Sequence, residues 1–229
     1  MKNVFFAVFS IMLLVVACGE NKTANTMTVN GSINGLKKGK LFFQKLTDST
    51  LVNLDSLELK GDGNFTFSVE VESPEMYYLY LEKADNNDLN DRIPFFGEPG
   101  DITINTAWNT FDVAAEISGS SAHEKYEEFQ EMITQFHKKD LELAKAAMVM
   151  DSTKLDSLNL RSETNLKNRY RYVINFALNN LDSPVTPYVV LSQALDANPR
   201  YLDSIANSMT AEVAQTKYGK ALKTFVSNN

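Results

Sequence analysis

Residues 27–118 alternate between apolar and polar side chains, and turn-forming residues interrupt the pattern every eight to twelve positions. A period of two places successive side chains on opposite faces of a strand, so this stretch predicts short antiparallel strands. The predicted strands cover residues 28–33, 40–46, 51–59, 65–71, 75–82, 92–97, 102–104 and 112–118. Seven or eight strands in roughly 90 residues predict a β-sandwich or an open barrel.

The pattern changes at Ser121, where apolar residues begin to recur every three or four positions. Ser121-Ala122-His123-Glu124 fits a capping box, and Asp151 or Ser152 can cap a second long helix. Two long helices with so short a connection predict an antiparallel hairpin. Three shorter helices are predicted near Thr186-Pro187, near Asn198-Pro199 and around residues 218–222, because proline is tolerated at the first helical position.

Together the two patterns predict an α+β protein. An N-terminal antiparallel β-sandwich or open barrel is expected to precede a C-terminal α-helical module that contains the long hairpin. We place the all-β domain at residues 27–118 and the helical module at residues 119–229.

Residues 1–17 have the features of a bacterial signal peptide. Lys2 precedes an apolar run, residues 4–17, that only Ser10 interrupts. The run is too short for a membrane-spanning helix, which needs about 20 apolar residues. It ends in Val15-Val16-Ala17-Cys18, which resembles the bacterial lipobox and so implies cleavage before Cys18 and lipid attachment to its thiol. The alternatives are an ordinary signal peptide and a short buried helix with an incidental cysteine.

Lipid on Cys18 predicts a location in the bacterial cell envelope, on a periplasmic or outer-membrane face. Residues 18–26 are mainly polar and are expected to form a flexible tether to the membrane. Removal of Lys2 with the signal peptide leaves 21 of the 22 basic residues against 29 acidic ones, a net charge of −8. This charge repels phosphate backbones, so no nucleic-acid partner is expected.

The sequence contains no recognisable catalytic motif. Cys18 is the only cysteine, so there is neither a disulfide nor a Cys-x-x-Cys pair. His123 and His137 are the only histidines, and on one helix they would lie about 21 Å apart, too far to share a metal. Phosphate-binding loops, the Gly-x-Ser-x-Gly elbow and His-Glu-x-x-His are also missing. We therefore expect no cofactor, no metal site and no enzymatic activity.

Aromatic side chains on the later strands are the remaining candidates for function. Alternation turns some of them away from the sandwich core, and an exposed group would form a platform for a sugar or a protein. The candidate binding surface consists of Trp108, Tyr78, Tyr80 and Phe96. In the alternative interpretation, the helical module covers the outward-facing aromatics.

Several strand ends and turns resemble those of one known family. They are Val29-x-Gly31, Ile33-x-Gly35-Leu36, Gly63-x-Phe65-x-Phe67, Phe95-Phe96-x-Glu98-Pro99-Gly100-Asp101-Ile102, Ile117-x-Gly119-Ser120, Ser183-Pro184 and Tyr218-Gly219. Over about residues 27–225 the chain resembles domain of unknown function 4369. The resemblance implies a lipoprotein, because domains of this family usually stand in lipoproteins, where they precede a thioredoxin-fold thiol:disulfide oxidoreductase domain. That domain would start near Asn229, so we expect the module to stand here without it and without its redox activity.

Three functions remain open at this point. The first is a non-catalytic, lipid-anchored envelope protein that binds a protein or peptide partner, of which a thioredoxin-like protein is one candidate. The second is a carbohydrate-binding lipoprotein, which requires an exposed aromatic and amide surface around Trp108. The third is a hydrolase with an unrecognised carboxylate site, which requires a concave pocket holding two acids with perturbed pKa values.

Overall fold

The computed structural model describes residues 25–47, 49–83, 91–150 and 155–228. The predicted signal peptide, Cys18, most of the tether, the polar loop at residues 85–90 and the proposed cap of the second long helix lie outside these ranges. Within them there are eight strands: β1 Thr26–Asn34, β2 Lys38–Thr47, β3 Thr50–Lys60, β4 Asn64–Glu70, β5 Glu75–Lys83, β6 Asp91–Gly97, β7 Gly100–Ala107 and β8 Glu116–Ser118. The same ranges hold six α-helices: α1 Ser121–Val149, α2 Leu155–Asn179, α3 Val185–Gln193, α4 Pro199–Ser208, α5 Ala211–Gln215 and α6 Lys217–Ser227.

The strands form two four-stranded sheets, which confirms the predicted α+β fold with an N-terminal sandwich. The first sheet has the order β4-β1-β7-β8 and the second has the order β3-β2-β5-β6. The expectation that all strands are antiparallel is wrong for one pair, because β1 and β7 run parallel from Met27 beside Gly100 to Asn34 beside Ala107. Because the pair is parallel, β7 starts at the same end of the sandwich as β1. The chain reaches this end through β6, which ends at Gly97, and enters β7 at Gly100.

The sandwich core lies between the two sheets and is built from alternate residues of each strand, as the period of two predicts. Phe43 is at its centre, and its ring centroid lies 5.6 Å from that of Phe67, 5.4 Å from that of Tyr77 and 6.1 Å from that of Phe95. Close-packed aromatic rings at these distances stabilise the core beyond their buried area alone.

The last predicted strand, residues 112–118, is reduced to Glu116–Ser118. Phe111 is fully buried in the sandwich core, and the chain turns after it, with the Ala114 N–H donating to the Thr110 carbonyl oxygen over 2.8 Å. The Thr106 hydroxyl donates to the Phe111 carbonyl over 2.8 Å. Burial of this one aromatic side chain therefore replaces the first half of the expected strand with a turn.

The helical hairpin of α1 and α2 is confirmed, and its caps differ in detail from the prediction. Ser120, not Ser121, caps α1 by accepting the His123 N–H, while the Ser121 hydroxyl donates to Glu98 Oε1 over 3.1 Å. The cap of α4 is as predicted, with Asn198 Oδ1 accepting the Arg200 N–H. Helix α3 starts at Val185, two residues before Pro187, and the short α5 was not predicted.

The helical module has its own apolar core, and Met76 of β5 and Phe96 of β6 belong to it. These two side chains point away from the sandwich core, so the helices pack on the outer face of the second sheet. Within the described ranges, no helix combines the length and the apolar character needed to cross a membrane.

Candidate binding surface

The outer face of the second sheet brings together three of the four predicted site residues. Tyr78 and Tyr80 project from β5, and Phe96 projects from β6. The register places Phe42 of β2 beside Tyr80 and Arg92 of β6 on the other side of Tyr80. Because residues two apart in a strand share a face, Gln44, Met76 and Pro94 also lie on this outer face.

The helical module covers one half of this face, which corrects the place of Phe96 in the expected surface. Phe96 is 0 % exposed and its ring contacts Tyr126, Tyr188 and Tyr218, at centroid distances of 6.4, 5.9 and 6.2 Å. Tyr188 and Tyr218 are themselves half-buried, and this burial raises the pKa of Tyr218 to about 12. Phe95 lies in the sandwich core, whereas the adjacent Phe96 lies in the core of the helical module. Phe96 therefore joins the sheet to the helices.

The start of α1 also covers the free edge of β6. The Phe96 N–H donates to His123 Nδ1 over 3.2 Å, and the Ser120 hydroxyl donates to the Phe96 carbonyl over 3.0 Å. Burial lowers the pKa of His123, although Glu127 opposes the shift with a carboxylate oxygen 3.3 Å from Nε2. An imidazole whose Nδ1 accepts a backbone hydrogen bond is neutral, so His123 serves here as a structural acceptor.

A second polar contact joins the helical module to the sheet at Glu75. This buried carboxylate lies 3.6 Å from Lys45 Nζ, pairs with Lys217 Nζ of α6, and accepts a hydrogen bond from the Tyr77 hydroxyl. Among the buried side chains of the described residues, Glu75 is the only acid. A pair of buried acids is therefore not found in the part of the chain that the structure describes.

The other half of the outer face is open, and aromatic rings and cations alternate across it. Phe42 and Tyr80 stack at a centroid distance of 5.8 Å. Lys40 Nζ lies 4.9 Å from the centre of the Phe42 ring, and the Arg92 guanidinium carbon lies 4.9 Å from that of Tyr80. Since cations already cover these ring faces, they offer little surface on which a sugar could stack.

A row of hydrogen bonds crosses the sheet beside these rings. Arg92 Nε donates to Gln44 Oε1 over 3.3 Å, and Gln44 Nε2 donates to Asn53 Oδ1 over 2.7 Å. Gln44 is only 8 % exposed, which fixes the positions of both its partners. The row thus connects β6, β2 and β3, and no sequence pattern links these three residues.

Strand β3 is the edge strand of the second sheet on the side opposite β6, and its outer edge is open. Among the described strands it pairs only with β2, and nearly all of its residues are exposed. Three leucines, Leu51, Leu54 and Leu57, are each 36 % exposed. Leu54 is left out of the register between Asn53 and Asp55, so it forms a β-bulge.

Trp108 lies apart from this surface, in a short 3₁₀ turn after β7 of the first sheet. It is 40 % exposed, and Lys83 Nζ lies 5.8 Å from its ring centre. Asn105, the nearest amide in sequence on β7, accepts hydrogen bonds from the backbone N–H and hydroxyl of Ser32. Trp108, Tyr78, Tyr80 and Phe96 therefore do not form one surface, which weakens the carbohydrate hypothesis.

The end of the second sheet that adjoins Lys40 holds a cavity of about 420 Å³. Four lysines and two glutamates line it: Lys38, Lys40, Lys60, Lys83, Glu58 and Glu82. Lys60, with smaller effects from Lys40 and Lys38, lowers the pKa of Glu58. Across the described ranges no group of three or more His, Cys, Asp or Glu side chains is placed to hold a metal ion. Because lysines outnumber glutamates in its lining, this cavity is a locally basic region on an acidic protein.

These features define a two-sheet β-sandwich that carries a helical module on one outer face and leaves the rest of that face and the β3 edge of the same sheet open. Residues 27–126 match the model of the family described as Domain of unknown function (DUF4369), and this range is similar to that family. The match covers nearly all of the sandwich and the first residues of α1, while the rest of the helical module lies outside the matched range. No curated protein matches the chain.

Proposed function

We propose that this protein is a lipid-anchored, non-catalytic component of the bacterial cell envelope whose β-sandwich binds an extended segment of a partner protein. The segment adds as a further strand to the open edge of β3. The observation that carries this proposal is the exposure of β3 along almost its whole length of 11 residues.

An open edge presents a row of backbone N–H and C=O groups, which proteins usually shorten or cover. In the second sheet the opposite edge is covered at Phe96, because Ser120 and His123 take up the backbone groups of this residue. Strand β3 has no such cover among the described residues, and its exposed leucines offer apolar contacts beside the backbone groups. Strand addition uses this combination, with backbone hydrogen bonds for affinity and side chains for specificity.

The edge can be tested by placing a photoactivatable phenylalanine derivative at Leu54, with Leu160 of α2 as the control position, since both leucines are exposed. We expect cross-links from Leu54 to one extended segment of a partner, and a separate thioredoxin-like protein is the first candidate to examine. A synthetic peptide of that segment should slow hydrogen exchange of the amides in residues 50–58 at least ten-fold. Binding should fall at least ten-fold in Leu51→Lys/Leu57→Lys and stay unchanged in Leu141→Lys/Leu160→Lys.

Cross-links from Leu160 alone, or exchange protection confined to α1 and α2, would contradict strand addition and would assign the partner to the helical hairpin. Full binding by the β3 double variant, shown by circular dichroism to be folded, would also rule out the edge.

The membrane anchor is a separate part of the proposal and rests on the sequence before Cys18. Cys18 lies eight residues before Thr26, where β1 begins, and eight extended residues span at most about 28 Å. Lipid at this position would therefore hold the sandwich close to the membrane surface.

Intact mass of the mature protein extracted from membranes tests the anchor. We expect an N-terminus at an acylated Cys18, and we expect the Cys18→Ala variant to lose both the lipid and the cleavage before residue 18. An unlipidated chain cut at another position would replace this assignment with a secreted, unanchored protein. That result would leave the proposal for β3 intact.

A further inference from the structure

A second binding site lies on the open half of the outer face, about three strand spacings, or roughly 14 Å, from the β3 edge. We propose that Arg92 is a receptor for a carboxylate group of an acidic peptide segment. This inference goes beyond strand addition at β3 and does not depend on it.

Arg92 is held in place before any ligand arrives. Its Nε donates to Gln44, its guanidinium lies against the Tyr80 ring, and Gln44 is buried and fixed by Asn53. These contacts use Nε and one face of the guanidinium, so the two terminal nitrogens remain as paired donors. A planar pair of donors matches the two oxygens of a carboxylate, and little side-chain freedom is left to lose on binding.

Among the side chains that the structure describes, which do not include those of residues 84–91, Arg92 has no acidic partner within 4 Å. Acidic residues nevertheless outnumber basic ones in the chain. Lys45 and Arg169 are also partly buried and do have an acidic partner, since Lys45 Nζ lies 3.6 Å from Glu75 and Arg169 lies 3.8 Å from Asp140. Lys40, on the same face as Arg92, likewise has no acidic partner within 4 Å among the described side chains. Arg161, Arg171 and Arg200 are exposed to solvent, whereas Arg92 is half-buried. A partly desolvated guanidinium gains most from a charged partner, because burial has already removed part of its hydration.

The surroundings of Arg92 suit an anion. Tyr78 lies on the same face beside Gln44 and Pro94, and burial raises its pKa while the nearby Arg92 opposes that shift. The tyrosine therefore keeps its proton and can donate it to a carboxylate oxygen. On the other side of the Phe42–Tyr80 stack, Lys40 lies over the Phe42 ring and lines the basic cavity.

The geometry favours an extended peptide with two acidic side chains. Arg92 and Lys40 stand on β6 and β2, two strands apart and two residues out of register, which separates them by about 12 Å. Side chains four residues apart on one side of an extended peptide are about 13 Å apart. A sugar acid would lack its usual stacking surface, since Lys40 and Arg92 cover the Phe42 and Tyr80 rings.

The probe is a capped pentapeptide with glutamate at both ends and serine between, titrated into the isotope-labelled mature protein in detergent micelles. The readout is the nitrogen–proton NMR signal of Arg92 Nε, which its hydrogen bond to Gln44 should make visible. We expect a saturable shift with wild type, about ten-fold weaker binding when one glutamate is replaced by glutamine, and no shift when both are replaced.

Variants separate the parts of the site, with backbone amide signals as the readout where Arg92 is replaced. Arg92→Gln should lower affinity at least ten-fold and Arg92→Lys nearly as much, because an ammonium group cannot form the paired contact. Lys40→Gln should lower the affinity for the peptide with two glutamates and leave the affinity for the peptide with one glutamate unchanged. Arg171→Gln is the matched control and should bind as wild type does.

Several results would overturn the proposal. They are equal binding of the peptide with two glutamines, unchanged affinity in a folded Arg92→Gln or Arg92→Lys variant, and binding of oligogalacturonate but of neither acidic peptide. The last result would identify an acidic-sugar site in its place. None of these results bears on β3, because exchange protection of residues 50–58 is measured separately.

Discussion

Replacing Gly31 by alanine is expected to disrupt the β-sandwich, with a loss of at least about 3 kcal/mol of unfolding free energy. Gly31 lies in the middle of β1 and pairs with Ile104 of the parallel strand β7. A Cβ atom at Gly31 would lie 1.7 Å from the Ile104 carbonyl oxygen and 2.6 Å from its carbon. These are backbone atoms of a central strand, so β1 and β7 would have to separate. Thermal unfolding followed by circular dichroism should show a midpoint about 10 °C lower.

Gly61→Ala is the matched control. Gly61 has a φ of 108°, and no atom lies within 4 Å of the position that its Cβ would take. This substitution adds backbone strain without a collision, and such strain costs about 1 to 3 kcal/mol. Destabilisation by Gly31→Ala that is no greater than that by Gly61→Ala would show that β1 and β7 are not held as closely as described.

Phe96→Ala is expected to separate the helical module from the second sheet and to cost about 3 to 5 kcal/mol. The Phe96 ring has no exposed area and touches three tyrosines of the helices, so its removal leaves a cavity at the contact between the two cores. The backbone hydrogen bonds of Phe96 to Ser120 and His123 do not depend on the ring. Limited proteolysis should therefore cut α3 and α6 sooner, while the sandwich stays protected.

Tyr201→Ala serves as the control, since Tyr201 is an exposed aromatic on α4 and its loss should change stability by about 0.5 kcal/mol or less. Proteolysis of α3 and α6 at the wild-type rate in Phe96→Ala would mean that the hairpin and Glu75 hold the module without this ring. Equal effects of the two substitutions would have the same meaning.

The two edges of the second sheet differ in a way that supports the proposed binding of a partner at β3. Strand β6 lies under the start of α1, and this edge also contains Pro94, which cannot donate a backbone hydrogen bond. Strand β3 stands at the far edge and, among the described strands, pairs only with β2. The helical module thus blocks one edge and leaves the other to a partner, and Arg92 and Lys40 lie on the open face between them.

The sequence by itself determined the order of elements and the faces of most strands. Alternation in residues 65–71 places Phe65 and Phe67 on the same face, because the side chains of a strand alternate whatever it pairs with, and both residues lie in the sandwich core. The cap at Asn198-Pro199 was also readable, since capping involves only neighbours along the chain. Turn motifs were sufficient to suggest the family that the match over residues 27–126 supports.

Only the tertiary structure decided which faces and edges are covered. Alternation in residues 51–59 predicted a strand, and of its four leucines only Leu59 is buried, because β3 lies at the edge of its sheet. Phe96 was a candidate for the exposed surface, with coverage by the helical module as the alternative. It is buried, because helices that follow it by more than 20 residues pack over it. Arg92, Gln44 and Asn53 meet only because β6, β2 and β3 share a sheet. Local periodicity fixes the direction of a side chain, whereas contacts between distant segments fix what that side chain meets.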